Sequence, residues 1–233
     1  PLGLQFSVLA IGIIVMQGAV VRFDIAENGI MVPGTPAQNG FSAANKLINF
    51  LMALYNGLAS AILGFNAQNY GKSDYRRIRQ GTRQSLIIML IMYAFCLTAG
   101  LLLSIGGAYQ HIFMSEDKIS EASVRFGNTY LYVDFILYFI LGFLIVTRSA
   151  VQGITKVGYV LGAGVAELVS RVLICAYLPA LVNGGATDAS ASLASFAAVC
   201  FGDPGAWLLA SLVLLVPTVR YIFRMQYKKE VSG

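Results

Sequence analysis

The chain has 233 residues, 57% of them hydrophobic and only 12% charged, with a formal net charge of +5. A soluble domain carries roughly 25% charged residues, so this composition excludes an ordinary soluble globule and argues for a membrane protein. The positive balance lies in segments between apolar runs, so topology accounts for it and no nucleic-acid partner is expected.

Six apolar runs are long enough to cross a bilayer core, which takes about 20 helical residues. The first, 4–21, follows directly on Pro1, Leu2 and Gly3. With no initiator Met and no basic leader it does not resemble a signal peptide; the chain reads as one cut in the middle. This run contains Gln17, a candidate buried amide. Segment 23–41 carries Pro33, Pro36 and several glycines and reads as an irregular outer loop. The second run, 43–65, places Asn45, Asn49 and Asn56 at spacings of four and seven, on one helical stripe. Those amides either bond between helices or line a polar central cavity. Gly57 and Gly64 are positioned for close helix approach.

A basic segment follows with Lys72, Arg76, Arg77, Arg79 and Arg83, and then the third run, 85–105. His111, in the next outer segment, reads as a solvated loop residue. The fourth run, 130–150, carries Asp134 between Tyr130 and Tyr138, four residues to either side. The fifth, 157–181, carries Glu167 and Arg171. Segment 182–204, rich in Ala, Ser and Gly, reads as a flexible loop or a short interfacial helix, and the sixth run is 206–223. Cys96 and Cys175 lie in apolar runs and Cys200 in the last loop; none has metal-site or C-x-x-C spacing, and a Cys175–Cys200 disulfide is disfavoured.

If each run spans once, the segment 72–83, the loop with Arg148 and Lys156, and the tail with Arg220, Arg224, Lys228 and Lys229 share one side. They hold eleven of the sixteen basic residues. By the positive-inside rule that side, with the C-terminus, is cytoplasmic. The expected architecture is an all-α, six-transmembrane-helix bundle in the plasma membrane, with lipids as its surroundings.

Ionisable residues inside a span cost about 2.5–3.5 kcal/mol each at the bilayer centre, so each needs a partner or a wet cavity. Asp134, Glu167 and Arg171 are the three such residues. Glu167 and Arg171 are four apart on one face and predict an intramembrane ion pair, read first as structural and second as a gate. Asp134 has no cation in its own helix, and the Tyr130 and Tyr138 hydroxyls are expected to reach it. It is either a protonatable coupling group or Na⁺ ligand, or a hydrated residue one turn inside the outer end. No nucleophile–base pair, metal cluster or phosphate loop is present, so an enzyme is not expected, and no cofactor beyond Na⁺ as a coupling ion.

The stretch 62–72, Ile-Leu-Gly-Phe-Asn-Ala-Gln-Asn-Tyr-Gly-Lys, followed by the basic segment, resembles the multidrug and toxic compound extrusion (MATE) family. Gln68, Asn69 and Gly71 match its Gly-Gln-Asn-x-Gly signature, with Ala67 in place of the first glycine. The segment 148–156, Arg-Ser-Ala-Val-Gln-Gly-Ile-Thr-Lys, is similar to the family's Arg-x-x-x-Gln-Gly-x-Gly loop. Glu167 to Arg171, and Asp203-Pro-Gly-Ala-Trp207, resemble its last two spans. Where the family has an Asn four residues after a Gln, Gln17 is followed by Val21.

The resemblance implies one pseudo-symmetric lobe, the C-terminal half, of a twelve-helix antiporter that exports cationic organic compounds against Na⁺ or H⁺. Its partners would be the N-terminal six-helix half and a small organic substrate. Asp134, Tyr130, Tyr138, Gln17, Asn49 and Asn56 are the expected ion-coupling or cavity residues. A lipid-linked-precursor flippase of the same superfamily would need a cationic cavity, for which only Arg171 and Lys46 are candidates. A non-transporting membrane scaffold is the third reading.

Overall fold

The computed structural model describes residues 2–224, and side chains from residue 10 onward; Pro1, Lys228 and Lys229 lie outside the described residues. Helices follow one another as α1 (Leu2–Val21), α2 (Pro36–Gly71), α3 (Tyr75–Ser104), α4 (Ala108–Phe113), α5 (Glu121–Gly153), α6 (Val157–Asn183), α7 (Leu193–Cys200) and α8 (Gly202–Pro217). The described residues contain no strand, only an isolated bridge between Ile25 and Met31. Five stretches are long and apolar enough to cross a membrane: Pro36–Gly71, Tyr75–Phe113, Glu121–Gly153, Val157–Asn183 and Leu193–Phe223. The chain is therefore an all-helical, multi-pass membrane protein; α1 adds a further helix of 20 residues.

Helix α5 is the centre of the bundle, packed against α2, α3 and α8, while α6 lies between α8 and α1. The tightest seam joins α2 to α5. A Cβ on Gly40 would overlap the Ser123 carbonyl oxygen and lie 2.7 Å from the Gly127 nitrogen. A Cβ on Gly127 would in turn meet the Tyr109 hydroxyl and the Gly40 carbonyl. Two glycines thus let two backbones touch, the arrangement small residues permit in membranes. Gly57 and Gly64, the expected close-approach positions, have nothing within 4 Å of such a Cβ, so neither is pressed against another helix among the described residues.

The segments read as long loops are shorter than expected. In the first, Asp24 is buried and its carboxylate accepts from the backbone N–H groups of Ala37 and Gln38, both at 2.9 Å. It caps the start of α2 from thirteen residues away, neutralising amides that the helix cannot satisfy itself. In the second, helix resumes at Leu193, where Ser192 caps by accepting from the Ser195 amide. What remains of the loop is held by Asp188, which accepts from the Ser190 hydroxyl (2.6 Å) and amide (2.7 Å). Those bonds, the hydroxyl's first, hold its carboxyl below the usual carboxylate range. Cys200 lies in α7, fully buried, and Cys96, Cys175 and Cys200 are all free thiols.

The basic segments meet at one end of the bundle. Arg79 Nε donates to the Ile222 carbonyl at 3.4 Å, and Lys156 Nζ lies 4.8 Å from the Tyr221 ring centroid. His111, at the other end, is exposed.

Candidate functional site

A cavity of about 200 Å³ opens between α1, α2, α5, α6 and α8. Helix α5 lays Tyr130, Asp134, Leu141, Ile145 and Arg148 along it, at near-helical spacings of four, seven, four and three. Glu167 and Arg171 of α6 and Asp203 and Trp207 of α8 each contribute a pair four residues apart. Phe41, Asn45 and Asn49 close it from α2, with Phe41 stacked on Tyr130 at 4.6 Å between ring centroids.

The charged side chains form a continuous relay. Arg148 Nη2 donates to Glu167 Oε2 at 2.6 Å, and Glu167 Oε1 lies 3.5 Å from Arg171 Nη2. Arg171 Nη2 donates to Asp203 Oδ1 at 2.7 Å, and the Tyr130 hydroxyl donates to Asp203 Oδ2, also at 2.7 Å. The predicted Glu167–Arg171 contact exists, but it is the longest link. Each residue has a shorter partner in a segment that reads as a loop: Arg148 and Asp203. Arg148 fell inside the predicted run 130–150 yet was counted with the loop after it. Asp203 was hidden by the Gly-Asp-Pro-Gly quartet, which reads as a turn. In the structure Pro204 sits in the first turn of α8, where a missing N–H is tolerated, and the span begins at Leu193, ten residues before Asp203.

Asp134 is fully buried, and neither carboxylate oxygen has a hydrogen-bond partner. It does not sit one turn inside the helix end: α5 starts at Glu121, which puts Asp134 about 20 Å along the axis. The hydroxyls of the flanking tyrosines make their hydrogen bonds to other groups. The Tyr130 hydroxyl goes to Asp203, and that of Tyr138 donates to the Ile48 carbonyl at 3.3 Å. Tyr138 instead packs in an aromatic cluster with Tyr55, Phe135 and Trp207.

Of the amides, Asn45 and Asn49 line the cavity, with Asn49 Nδ2 donating to the Asn45 carbonyl at 2.9 Å. Gln17 and Asn56 are exposed and line no part of it. Lys46 also stays out; its Nζ donates to the Phe113 carbonyl at 3.1 Å.

The signature residues Gln68, Asn69 and Gly71 form the last turn of α2, away from the cavity. Gln68 and Gly71 are exposed, while Asn69 is buried and donates to the Phe65 carbonyl at 2.7 Å. The residue that joins helices here is Asn66, which donates to Thr82 Oγ1 (3.2 Å) and the Ala150 carbonyl (3.4 Å). A Cβ on Gly153 would lie 2.8 Å from Asn66 Cβ and 2.9 Å from the Leu63 carbonyl. The two motifs thus meet in one joint between α2, α3 and α5, a physical reason for their residue types.

The family model described as MatE matches residues 31–177, well over half of the chain, and includes four of the five relay residues, Tyr130, Arg148, Glu167 and Arg171, but not Asp203. The chain belongs to the MatE family. It is accordingly a membrane transporter of the MATE superfamily. Comparison with curated proteins and with solved structures returned no match. For this MatE protein the cavity, with its one unpartnered carboxyl, is the candidate transport site.

Proposed function

We propose that the chain is the C-terminal six-helix lobe of a twelve-helix antiporter that exports cationic organic compounds, with Asp134 taking up the coupling cation, H⁺ or Na⁺. Charge balance in the cavity carries this reading. Arg148 and Arg171 are matched by Glu167 and Asp203. Asp134 is then surplus, buried without a donor. An ionised carboxylate in that position is costly until it is neutralised, and one proton or one monovalent cation does so.

The cavity is smaller than the roughly 300–1,000 Å³ of sites that enclose a drug-sized ligand. The organic substrate is therefore assigned to a cleft between this lobe and the N-terminal half, with the Asn45–Asn49 face as one wall. Exchange follows if both cations draw on the same negative charge, since occupancy by one displaces the other.

The test is export from proteoliposomes holding the intact transporter, under an imposed Na⁺ or H⁺ gradient. Asp134→Asn keeps the size and removes the charge. Its gradient-driven export is expected to fall to the leak level; an unchanged response to both gradients sinks the proposal and favours a scaffold. A flippase cavity needs uncommitted cations to hold a pyrophosphate, and here both lining arginines are already ion-paired.

Helix α1 is taken as the sixth span, and the basic end as cytoplasmic in the plasma membrane. The motive is the convergence of Arg79, Lys156 and Arg220 on one end, read with the positive-inside rule. The native thiols are all buried, so a cysteine at the exposed Ser73 gives a clean signal. Ser73→Cys is expected to react with an impermeant maleimide in inside-out vesicles only. Labelling of intact cells would reverse the orientation.

A further inference from the structure

The basic end of the bundle collects Lys156, Arg220 and Arg224, which form no ion pair with a carboxylate of the described residues. Lys156 Nζ lies 4.8 Å and Arg220 Cζ 5.3 Å from the centroid of the same Tyr221 ring. Arg224 follows four residues after Arg220, and the ion pairs that hold Arg148 and Arg171 lie elsewhere, in the relay with Glu167 and Asp203. Bringing like charges together without a counter-charge is unfavourable, so the cluster calls for an anion.

The same face supplies an apolar companion. Leu215, Val216 and Val219 line a groove of about 520 Å³ together with Arg220 and Arg224. All five side chains border that one groove. Beyond Pro217 the helix widens to a π turn over Thr218–Phe223, closed where the Arg224 amide donates to the Val219 carbonyl at 2.8 Å. The apolar residues belong to the membrane-spanning stretch Leu193–Phe223, and the arginines cap its last turns.

We infer that this groove holds an anionic phospholipid, its acyl chain along Leu215, Val216 and Val219 and its phosphate between Arg220 and Arg224 with Lys156 alongside. Guanidinium forks match phosphate oxygens in geometry and charge, and clustered cations at the membrane edge favour anionic headgroups. A zwitterionic lipid brings its own ammonium to the same cluster and is bound less well. The site is separate from Asp134, so its test reads lipid and not transport.

The intact transporter in detergent is incubated with equal phosphatidylglycerol and phosphatidylcholine, and retained lipid is counted by native mass spectrometry. Wild type is expected to retain phosphatidylglycerol preferentially. Lys156→Gln/Arg220→Gln/Arg224→Gln is expected to lower that preference on the order of tenfold or more, each cation near the surface being worth about fivefold. Lys72→Gln/Arg76→Gln/Arg83→Gln removes the same charge from the same end and is expected to keep it. Should the first variant fold poorly, Val216→Glu, at an exposed position one turn before Arg220, offers the arginine a competing carboxylate and is expected to expel the lipid. Equal losses in both triple variants, no preference in wild type, retention undisturbed by Val216→Glu, or displacement of the lipid by inorganic phosphate alone would each overturn the assignment.

Discussion

Arg171→Leu is expected to destabilise the folded protein by about 3–5 kcal/mol, the usual cost of removing one partner from a buried pair. Arg171 is 4% exposed and is the shared cation of Glu167 and Asp203. When it is lost, Glu167 keeps Arg148 at 2.6 Å, but Asp203 keeps only the Tyr130 hydroxyl. The burden therefore falls on Asp203, and its neutralisation is the remedy. Arg171→Leu/Asp203→Asn retains an acceptor for Tyr130 and leaves no orphan charge beyond that of Asp134, so it is expected to recover most of the loss. Arg148→Leu is expected to do less harm, because Glu167 can turn to Arg171. Unfolding midpoints of the intact protein in detergent check all three. A wild-type midpoint for Arg171→Leu, or no recovery in the double variant, would show that the relay does not hold the lobe together.

Gly40→Ala is expected to abolish most of the folded, monodisperse protein, and Gly57→Ala to leave it unchanged or slightly raised. The two substitutions add the same methyl group to the same helix. At Gly40 it is driven into the backbone of α5, at the Ser123 carbonyl and the Gly127 amide. No side chain can swing aside there, so α2 must move off its seam, and overpacking of this kind costs typically 1–3 kcal/mol and sometimes more. At Gly57 the methyl meets nothing within 4 Å, while alanine improves helix propensity by up to about 1 kcal/mol. Size-exclusion yield of the intact protein separates the cases. Equal yields would mean that the α2–α5 contact is looser than the structure has it.

The contrast between those glycines shows what the sequence can carry. Apolar runs mark the long helices α1, α2, α3, α5, α6 and α8, because length and hydropathy are properties of one segment, while the short α4 and α7 fall in segments that read as loop. Asn56 shares a stripe with Asn45 and Asn49, yet it is exposed while those two line the cavity. A stripe shows that residues share a face; it does not say which way that face points. The charged site was half legible for a related reason. Asp134, Glu167 and Arg171 stood out as charges within apolar runs, yet the shortest ion pairs go to Arg148 and Asp203, which lie near segment ends. Helical stretches that extend beyond the apolar run, as Leu193–Phe223 does by starting ahead of residue 206, carry such end residues into the bundle. Asn66, the residue that ties α2 to α3 and α5, was passed over in favour of its neighbours Gln68 and Asn69.

Helix α2 has 36 residues, which makes it about 54 Å long at 1.5 Å per residue. The hydrocarbon core is only about 30 Å thick, so a large part of the helix stands in the headgroups and water. A rod of that length pivoting at its middle shifts each tip by about 5 Å for a tilt of about 10°. One tip is bolted to α3 through Thr82 and to α5 through Ala150, so it cannot travel by itself. Its other end is held to α5 where Gly40 meets Ser123 and Gly127, so α2 and α5 move as one rod, and a small rotation of that rod becomes a stroke of three helix ends at the aqueous boundary.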